Sequence, residues 1–217
     1  MLTYQHIQTL AQAHTLEVFG GFHPDPTDSA PEGTQTLLML GPSEPGFWPL
    51  FQSSPEYQDG QPDAMDRWST RVVSGLAKTL GANALFPFGG PPYQPFIAWA
   101  RRTGRAWQSP AGLLVHDRAG LMVSYRAALA FPQQIDLLPL PAKPCDSCAT
   151  QPCLTSCPVS ALGPQGYDVP ACHAYLDTPA GADCMTRGCA ARRACPVSQS
   201  YGRLPQQSAF HMRSFHR

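Results

Sequence analysis

Residues 145–160 read CDSCATQPCLTSCPVS, and four more cysteines follow before the chain reaches Cys195-Pro196-Val197-Ser198. The spacing is Cys145-x2-Cys148-x4-Cys153-x3-Cys157-Pro158, then Cys172-x11-Cys184-x4-Cys189-x5-Cys195-Pro196. Both halves close on Cys-Pro-Val-Ser, which makes an internal pseudo-repeat. All 8 cysteines of the chain lie in this segment. In a reducing compartment such a density of thiols argues for metal rather than disulfides. A [4Fe–4S] core takes one thiolate at each of its iron corners. Short spacings let one loop wrap three corners and leave backbone N–H groups free to point at the sulfurs. A more distant segment supplies the fourth corner, and a proline after that cysteine turns the chain away and removes a competing donor. Tetrahedral zinc also accepts four thiolates. Zinc knuckles pair their Cys-x2-Cys hooks, and only one such hook occurs here. By spacing alone, two zinc sites, or one cluster with spare thiols, stand beside the reading of two [4Fe–4S] clusters.

The repeat resembles the halves of bacterial two-cluster ferredoxins, in which three close cysteines hold one cluster and the fourth, before proline, crosses to the other. The resemblance implies a first cluster on Cys145, Cys148, Cys153 and Cys195. It implies a second on Cys157, Cys172, Cys184 and Cys189. The chain departs from the bacterial run in placing four residues, Ala149 to Pro152, between its second and third cysteines.

Outside the cysteines, 217 residues suffice for one ordinary domain and a small second one. Apolar residues make up 43%, enough for a hydrophobic core. The 24 prolines predict turns and irregular loops rather than long helices. A formal net charge of zero gives no general case for nucleic acid as a partner. The charges are nevertheless uneven: beyond Asp183 there is no further Asp or Glu, yet Arg187, Arg192, Arg193, Arg203, Arg213 and Arg217 follow. These arginines either offset the negative charge of thiolate-bound clusters or form a docking face for an acidic electron donor or for RNA. Met1 to Ala13 shows no basic segment followed by an apolar run, and no stretch nears about 18 consecutive apolar residues. The expectation is a cytoplasmic protein with no membrane partner.

Hydrophobic periodicity predicts a helix over Thr3–Val18 closed by Gly20-Gly21 and a buried strand at Gln35–Leu40. Pro45–Tyr57 reads as an aromatic loop. The clearest helix runs from Asp63 to Leu80, with Met65, Trp68, Val72, Leu76 and Leu80 on one face, Asp63 as its cap and Gly81 as its stop. A strand is expected at Ala84–Phe88 and a short helix at Pro95–Arg102. Leu113–His116 and Leu121–Ala128 read as a hairpin around Asp117-Arg118-Ala119-Gly120. Phe131–Pro144 reads as a linker. The division expected is an α/β domain over residues 1–140 and a cysteine module over 141–217, an α+β chain in all. His211 and His216 fall in what reads as a solvated tail. No phosphate-binding glycine loop is present.

The segment Cys172-His173-Ala174-Tyr175-Leu176-Asp177-Thr178 and the Gly188-Cys189 pair resemble the C-terminal ferredoxin-like domain of epoxyqueuosine reductases. Upstream, the turn at Asp117–Gly120 is similar to turns of those reductases and of the cobalamin-processing decyanases, to which the reductive dehalogenases are also related. The resemblance covers roughly Ala84 to the C-terminus. It implies a nitroreductase-like α/β sandwich holding cobalamin without its lower ligand, followed by a ferredoxin-like iron–sulfur module. On that resemblance His116, Gly120, Tyr93 and Tyr125 are the candidate corrinoid contacts. The implied partners are a soluble electron donor (flavodoxin, ferredoxin or reductase) and a corrinoid or small-molecule substrate. The implied activity is single-electron transfer through the clusters to the corrinoid, with a plain ferredoxin-type carrier as the alternative. Where the reductases place a proton-donating aspartate, this chain has Pro87-Phe88-Gly89-Gly90-Pro91, with no acid, so their reaction is not carried over.

Overall fold

The computed structural model describes residues 2–216 and is mixed α/β, with antiparallel sheets. In chain order the elements are α1 (Tyr4–Gln12), β1 (Leu16–Phe22), β2 (Thr36–Pro42), α2 (Phe47–Gln52), α3 (Pro55–Gln58), α4 (Ala64–Leu80), β3 (Asn83–Leu85), α5 (Phe96–Arg102), β4 (Ala106–Gln108), β5 (Leu114–His116) and β6 (Ala127–Phe131). The cysteine-rich part adds β7 (Leu162–Gly163), β8 (Gly166–Tyr167), α6 (Val169–Leu176), α7 (Ala182–Arg187), α8 (Ala190–Ala194), α9 (Pro196–Ser200) and α10 (Pro205–Phe215). The chain divides into two compact units, one formed by Met1–Arg105 with Ser124–Leu140, the other by Ala106–Val123 with Pro141–Arg217.

The first unit is built on a four-stranded antiparallel sheet in the order β1-β2-β6-β3. Every residue of β2 and of β6 is buried. Both strands are continuous apolar runs rather than alternating ones, which suits central strands covered on both faces. Helices α1 and α4 supply part of that cover through Ile7 and Ala11, and through Met65, Trp68, Val73 and Leu76. Helix α4 starts and stops where its apolar period starts and stops. Gly81 closes it in the left-handed region at φ +66°, which costs glycine nothing. Asp63 also precedes it in the left-handed region, but its side chain makes no capping hydrogen bond.

The N-terminal helix is shorter than its periodicity suggests. It ends at Gln12, and Thr15 turns the chain at φ +52° into β1. Gly20 and Gly21 therefore stop no helix. They lie in β1 where its register against β2 shifts. A Cβ on Gly20 would stand 2.9 Å from the Thr103 side chain, so the glycine there admits a close approach as well as a bulge. Pro45–Tyr57 is likewise not a loop. Phe47 and Phe51 stack one helical turn apart, and Trp68 of α4 meets Phe47 edge-on at 5.2 Å. Burying these rings stabilises two short helices that have little intrinsic propensity of their own. Ser54 caps the second of them, with Pro55 at its first position.

One buried charge is held inside the first unit. Arg126 is 7% exposed, and its guanidinium donates to Asp66 at 2.5 Å and to Ser69 Oγ at 3.1 Å. Burial pushes the guanidinium down from its ordinary value and the Asp66 carboxylate opposes that. Removing the anion leaves the cation buried and uncompensated. Asp66→Asn is therefore expected to cost about 3 kcal/mol, at the lower end of the range for broken buried pairs because Asp66 is itself partly exposed. Urea unfolding followed by tryptophan fluorescence would measure it; a loss below about 0.5 kcal/mol, the scale of an ordinary surface change, would contradict the account.

In the second unit β5 pairs with the strand before it, Ala106↔His116 through Gln108↔Leu114, and not with residues 121–128. The 117–120 turn closes only a single bridge, His116↔Gly120. Beyond it the apolar β6 goes to the centre of the first unit's sheet, where both of its faces are buried. The sequence reading placed 106–123 with the first 140 residues, whereas the fold groups it with the cysteines. The reason is visible in the contacts. Leu121 N–H donates to Ser198 Oγ at 2.9 Å, Arg192 donates to Leu121 O, and Arg203 to Met122 O. Gly120, at φ +55°, lies so close to Ser198 that a Cβ would meet its backbone nitrogen at 2.5 Å. Ala111, Val115 and Leu121 then share a small core with Cys153, Leu162 and Ala191.

A candidate metal centre built from two sets of thiols

Each set of cysteines is assembled from short turns rather than from long elements. Cys145 lies in the 3-10 turn Pro144–Ser147, with Cys148 at its end, and Cys153 lies in the 3-10 turn Pro152–Leu154. Gln151, at φ +38°, reverses the chain between them. Cys195 sits at the junction of α8 and α9, directly before Pro196. These four residues line one cavity of about 200 Å³, together with Ser109, Val115 and Leu121. A cavity of about 150 Å³ accommodates a group the size of benzene, so there is room for a compact core of a few heavy atoms. Burial pushes the Cys145 thiol up, and Cys195, Cys153 and Cys148 push it further against the pull of Lys143. Burial raises Cys153 too, again with Cys195 and Cys148 adding, while its own N–H and that of Ala111 oppose the rise.

The second set gathers in the same way. Cys172 is on the first turn of α6, which Asp168 caps by accepting from Ala171 N–H at 2.9 Å. Cys184 is on α7, and Cys189 stands at the N-terminus of α8. Cys157 Sγ accepts from Ala161 N–H at 3.3 Å, and Cys172 Sγ accepts from the Tyr167 hydroxyl at 3.1 Å. Burial pushes the Cys172 thiol up, Tyr167 draws it down, and Cys189, Cys157 and Cys184 all raise it. Burial also raises Cys184; Cys189 and Asp183 add to this, and Ala190 N–H and Arg193 oppose it.

The structure thus gathers Cys145, Cys148, Cys153 and Cys195 in one place and Cys157, Cys172, Cys184 and Cys189 in another. All eight are free of disulfides. Thiols that raise one another in this way are costly to ionise together unless a cation lies between them. Among the described residues no group of three or more His, Cys, Asp or Glu is disposed to hold a single metal ion. Tetrahedral zinc holds four thiolate sulfurs about 3.8 Å apart. A core of several irons takes one thiolate at each corner instead.

The residues fit such a core in two further respects. Backbone N–H groups of Ala111, Ala161 and Ala190 already point at cysteine sulfurs, as thiolate-bound cores require. Ser109, 6% exposed, lines the first cavity, and its buried hydroxyl has no hydrogen-bond partner among the described residues. Such an orphan costs about 1–3 kcal/mol unless an acceptor meets it.

The other candidates fall elsewhere. His116 is fully buried within its own turn, where Nδ1 accepts from Arg118 N–H at 3.2 Å and Nε2 lies 3.3 Å from Asp117. Gly120 is pressed against Ser198. Both belong to the second unit, while Tyr93 and Tyr125 belong to the first. Tyr93 is exposed, and Tyr125 packs edge-on against Phe19 at 6.0 Å. His216 is not a free tail residue: it meets His173 Nδ1 at 2.7 Å and Asp177 at 3.0 Å, with a side chain 16% exposed. His211 lies on α10, within the same terminal helix.

Several of the arginines that follow Asp183 have partners within the second unit. Arg187 and Arg193 both pair with Asp183, and Arg192 and Arg203 cap carbonyls of the 121–122 segment. Sequence reasoning missed Ser109 and Tyr167. A tyrosine five residues before Cys172, at the entry to a helix, was a faint signal; Ser109 left none. No helix among the described residues is long and apolar enough to cross a membrane. No family model, no curated protein and no solved structure matches this chain.

Proposed function

We propose that the chain is an iron–sulfur redox protein that passes single electrons through two [4Fe–4S] centres. The observation that carries this reading is the gathering of eight free thiols into two sets of four, in which burial first, and then neighbours of the same set, raise Cys145 and Cys153 in one and Cys172 and Cys184 in the other. Cys145, Cys148, Cys153 and Cys195 would hold the first centre, and Cys157, Cys172, Cys184 and Cys189 the second. Each centre supplies a one-electron couple whose potential the protein sets through sulfur hydrogen bonds and solvent exposure. The chain's own part is to hold the thiolates, to direct Ala111, Ala161 and Ala190 N–H groups at sulfur, and to shield the first set behind Val115 and Leu121. A ferredoxin-like module and a nitroreductase-like first unit belong to the same reading. The antiparallel β1-β2-β6-β3 sheet with α1 and α4 against it supports the latter. The acceptor that the resemblance implies is a corrinoid, with a flavodoxin, ferredoxin or reductase as donor.

Anaerobic reconstitution tests the reading. About eight irons and eight sulfides per chain are expected, with EPR signals that grow on reduction. Two zinc ions and no stable iron would overturn it. Adding one equivalent of cob(II)alamin to the same sample tests the acceptor. Loss of the nitrogen splitting of the lower ligand supports the corrinoid, and an unchanged spectrum leaves a plain electron carrier.

A further inference from the structure

We infer that each thiol set carries one dedicated side-chain hydroxyl, Ser109 for the first and Tyr167 for the second, and that these two hydroxyls poise the two centres separately. The inference rests on the iron–sulfur reading above and concerns how this chain tunes it.

The Tyr167 hydroxyl donates to Cys172 Sγ at 3.1 Å. Its ring is held by a stack on Phe215 of α10, 6.0 Å between centroids and 13° from parallel. Strand β8 ends at Tyr167, one residue before the Asp168 cap of α6, so backbone and ring both fix the donor. The terminal helix is tied to the same place a second time, because His216 meets His173 and Asp177. Ser109 is placed by backbone bonds: its N–H donates to Leu113 O at 2.8 Å, and its carbonyl accepts from Gly112 N–H at 3.0 Å. Ser109 so placed is one of the residues lining the cavity with Cys145, Cys148, Cys153 and Cys195, and its hydroxyl is buried with no hydrogen-bond partner among the described residues. A buried hydroxyl without a partner is rare in a folded chain. The sulfur-rich group the cavity is proposed to hold is the acceptor it lacks.

A donor to a thiolate or sulfide stabilises the reduced state more than the oxidised one, because reduction adds negative charge at the acceptor. Ser109 and Tyr167 are positioning residues in this sense. They act on potential and carry no electron themselves.

The test is a redox titration followed by EPR on the anaerobically reconstituted full-length chain, its Ser109→Ala and Tyr167→Phe variants, and Ser109→Thr, which keeps the hydroxyl. Cys195→Ala and Cys157→Ala chains, each retaining one centre, assign the two signals. Tyr167→Phe is expected to lower the reduced-to-oxidised ratio of the second centre about tenfold at the wild-type midpoint, or about 59 mV for a one-electron couple. The first centre should not move. Ser109→Ala should do the reverse, and Ser109→Thr should restore the wild-type value. Full iron content with unmoved midpoints overturns the inference, as does a parallel shift of both centres in either variant. A wild-type chain that takes up no iron overturns the iron–sulfur reading itself, and this inference with it.

Discussion

On the proposed iron–sulfur reading, Cys157→Ala is expected to abolish the second centre and spare the first, although Cys157 lies only four residues from Cys153 and belongs by sequence to the first run. Iron falls from about eight to about four per chain. Cys195→Ala, at the far end of the module, removes the first centre in the same way. The expectation follows from where the thiols stand. Cys157 raises Cys172, beside Cys189 and Cys184, whereas Cys195 raises Cys145 and Cys153. Each fourth thiol is directed away from its own run by the proline that follows it, Pro158 or Pro196. A sequential arrangement gives the opposite result, with Cys157→Ala destroying the centre on Cys145, Cys148 and Cys153. Iron analysis of the two variants, with EPR to identify the surviving signal, decides between them.

On the same reading, stripping the proposed metal is expected to unfold the second unit and leave the first standing. In the second unit the cluster beside the first thiol set is small, six buried residues of which Cys153 is one, packed against further cysteines. Its helices α7, α8 and α9 run six, five and five residues, too short to persist in water without support. Binding at structural thiolate sites contributes on the order of 10 kcal/mol, comparable with the ~5–15 kcal/mol that holds a whole domain folded. The first unit has its own core around β2 and β6, every residue of which is buried. After anaerobic chelation, hydrogen exchange should show amides of residues 145–200 losing protection while those of β2 and β6 keep theirs. Equal retention of protection in both units would mean that thiol packing alone sustains the second unit, and would remove the structural role given to the metal.

Long periodic stretches were legible in the chain itself. The α4 repeat from Met65 to Leu80, the apolar run that becomes β2 and the short helix α5 depend on local pattern, and their burial follows that pattern. The eight cysteines and their two Cys-Pro-Val-Ser endings were legible for a different reason, because motif spacing is written directly in residue numbers. Their crossed grouping came from the resemblance to two-cluster ferredoxins.

Other elements needed the rest of the chain. Gly20-Gly21 looks like a helix stop, yet pairing with β2 draws it into a strand, because a hydrogen-bonded partner outweighs local propensity. The aromatics of 47–57 have no helical signature until Trp68 of α4 lies against them. Residues 106–123 carry a hairpin signal, but long-range bonds to Ser198, Arg192 and Arg203 place them in the cysteine unit. The hydroxyls of Ser109 and Tyr167 left no signal and a faint one, respectively, for the same reason. A hydroxyl has no periodicity, and what it donates to is settled by packing. The sequence by itself thus supplied eight thiols in two runs, and the resemblance to two-cluster ferredoxins implied their division into two fours; tertiary structure decided which hydroxyls and backbone N–H groups surround them, since a thiol's chemistry is local and its surroundings are not.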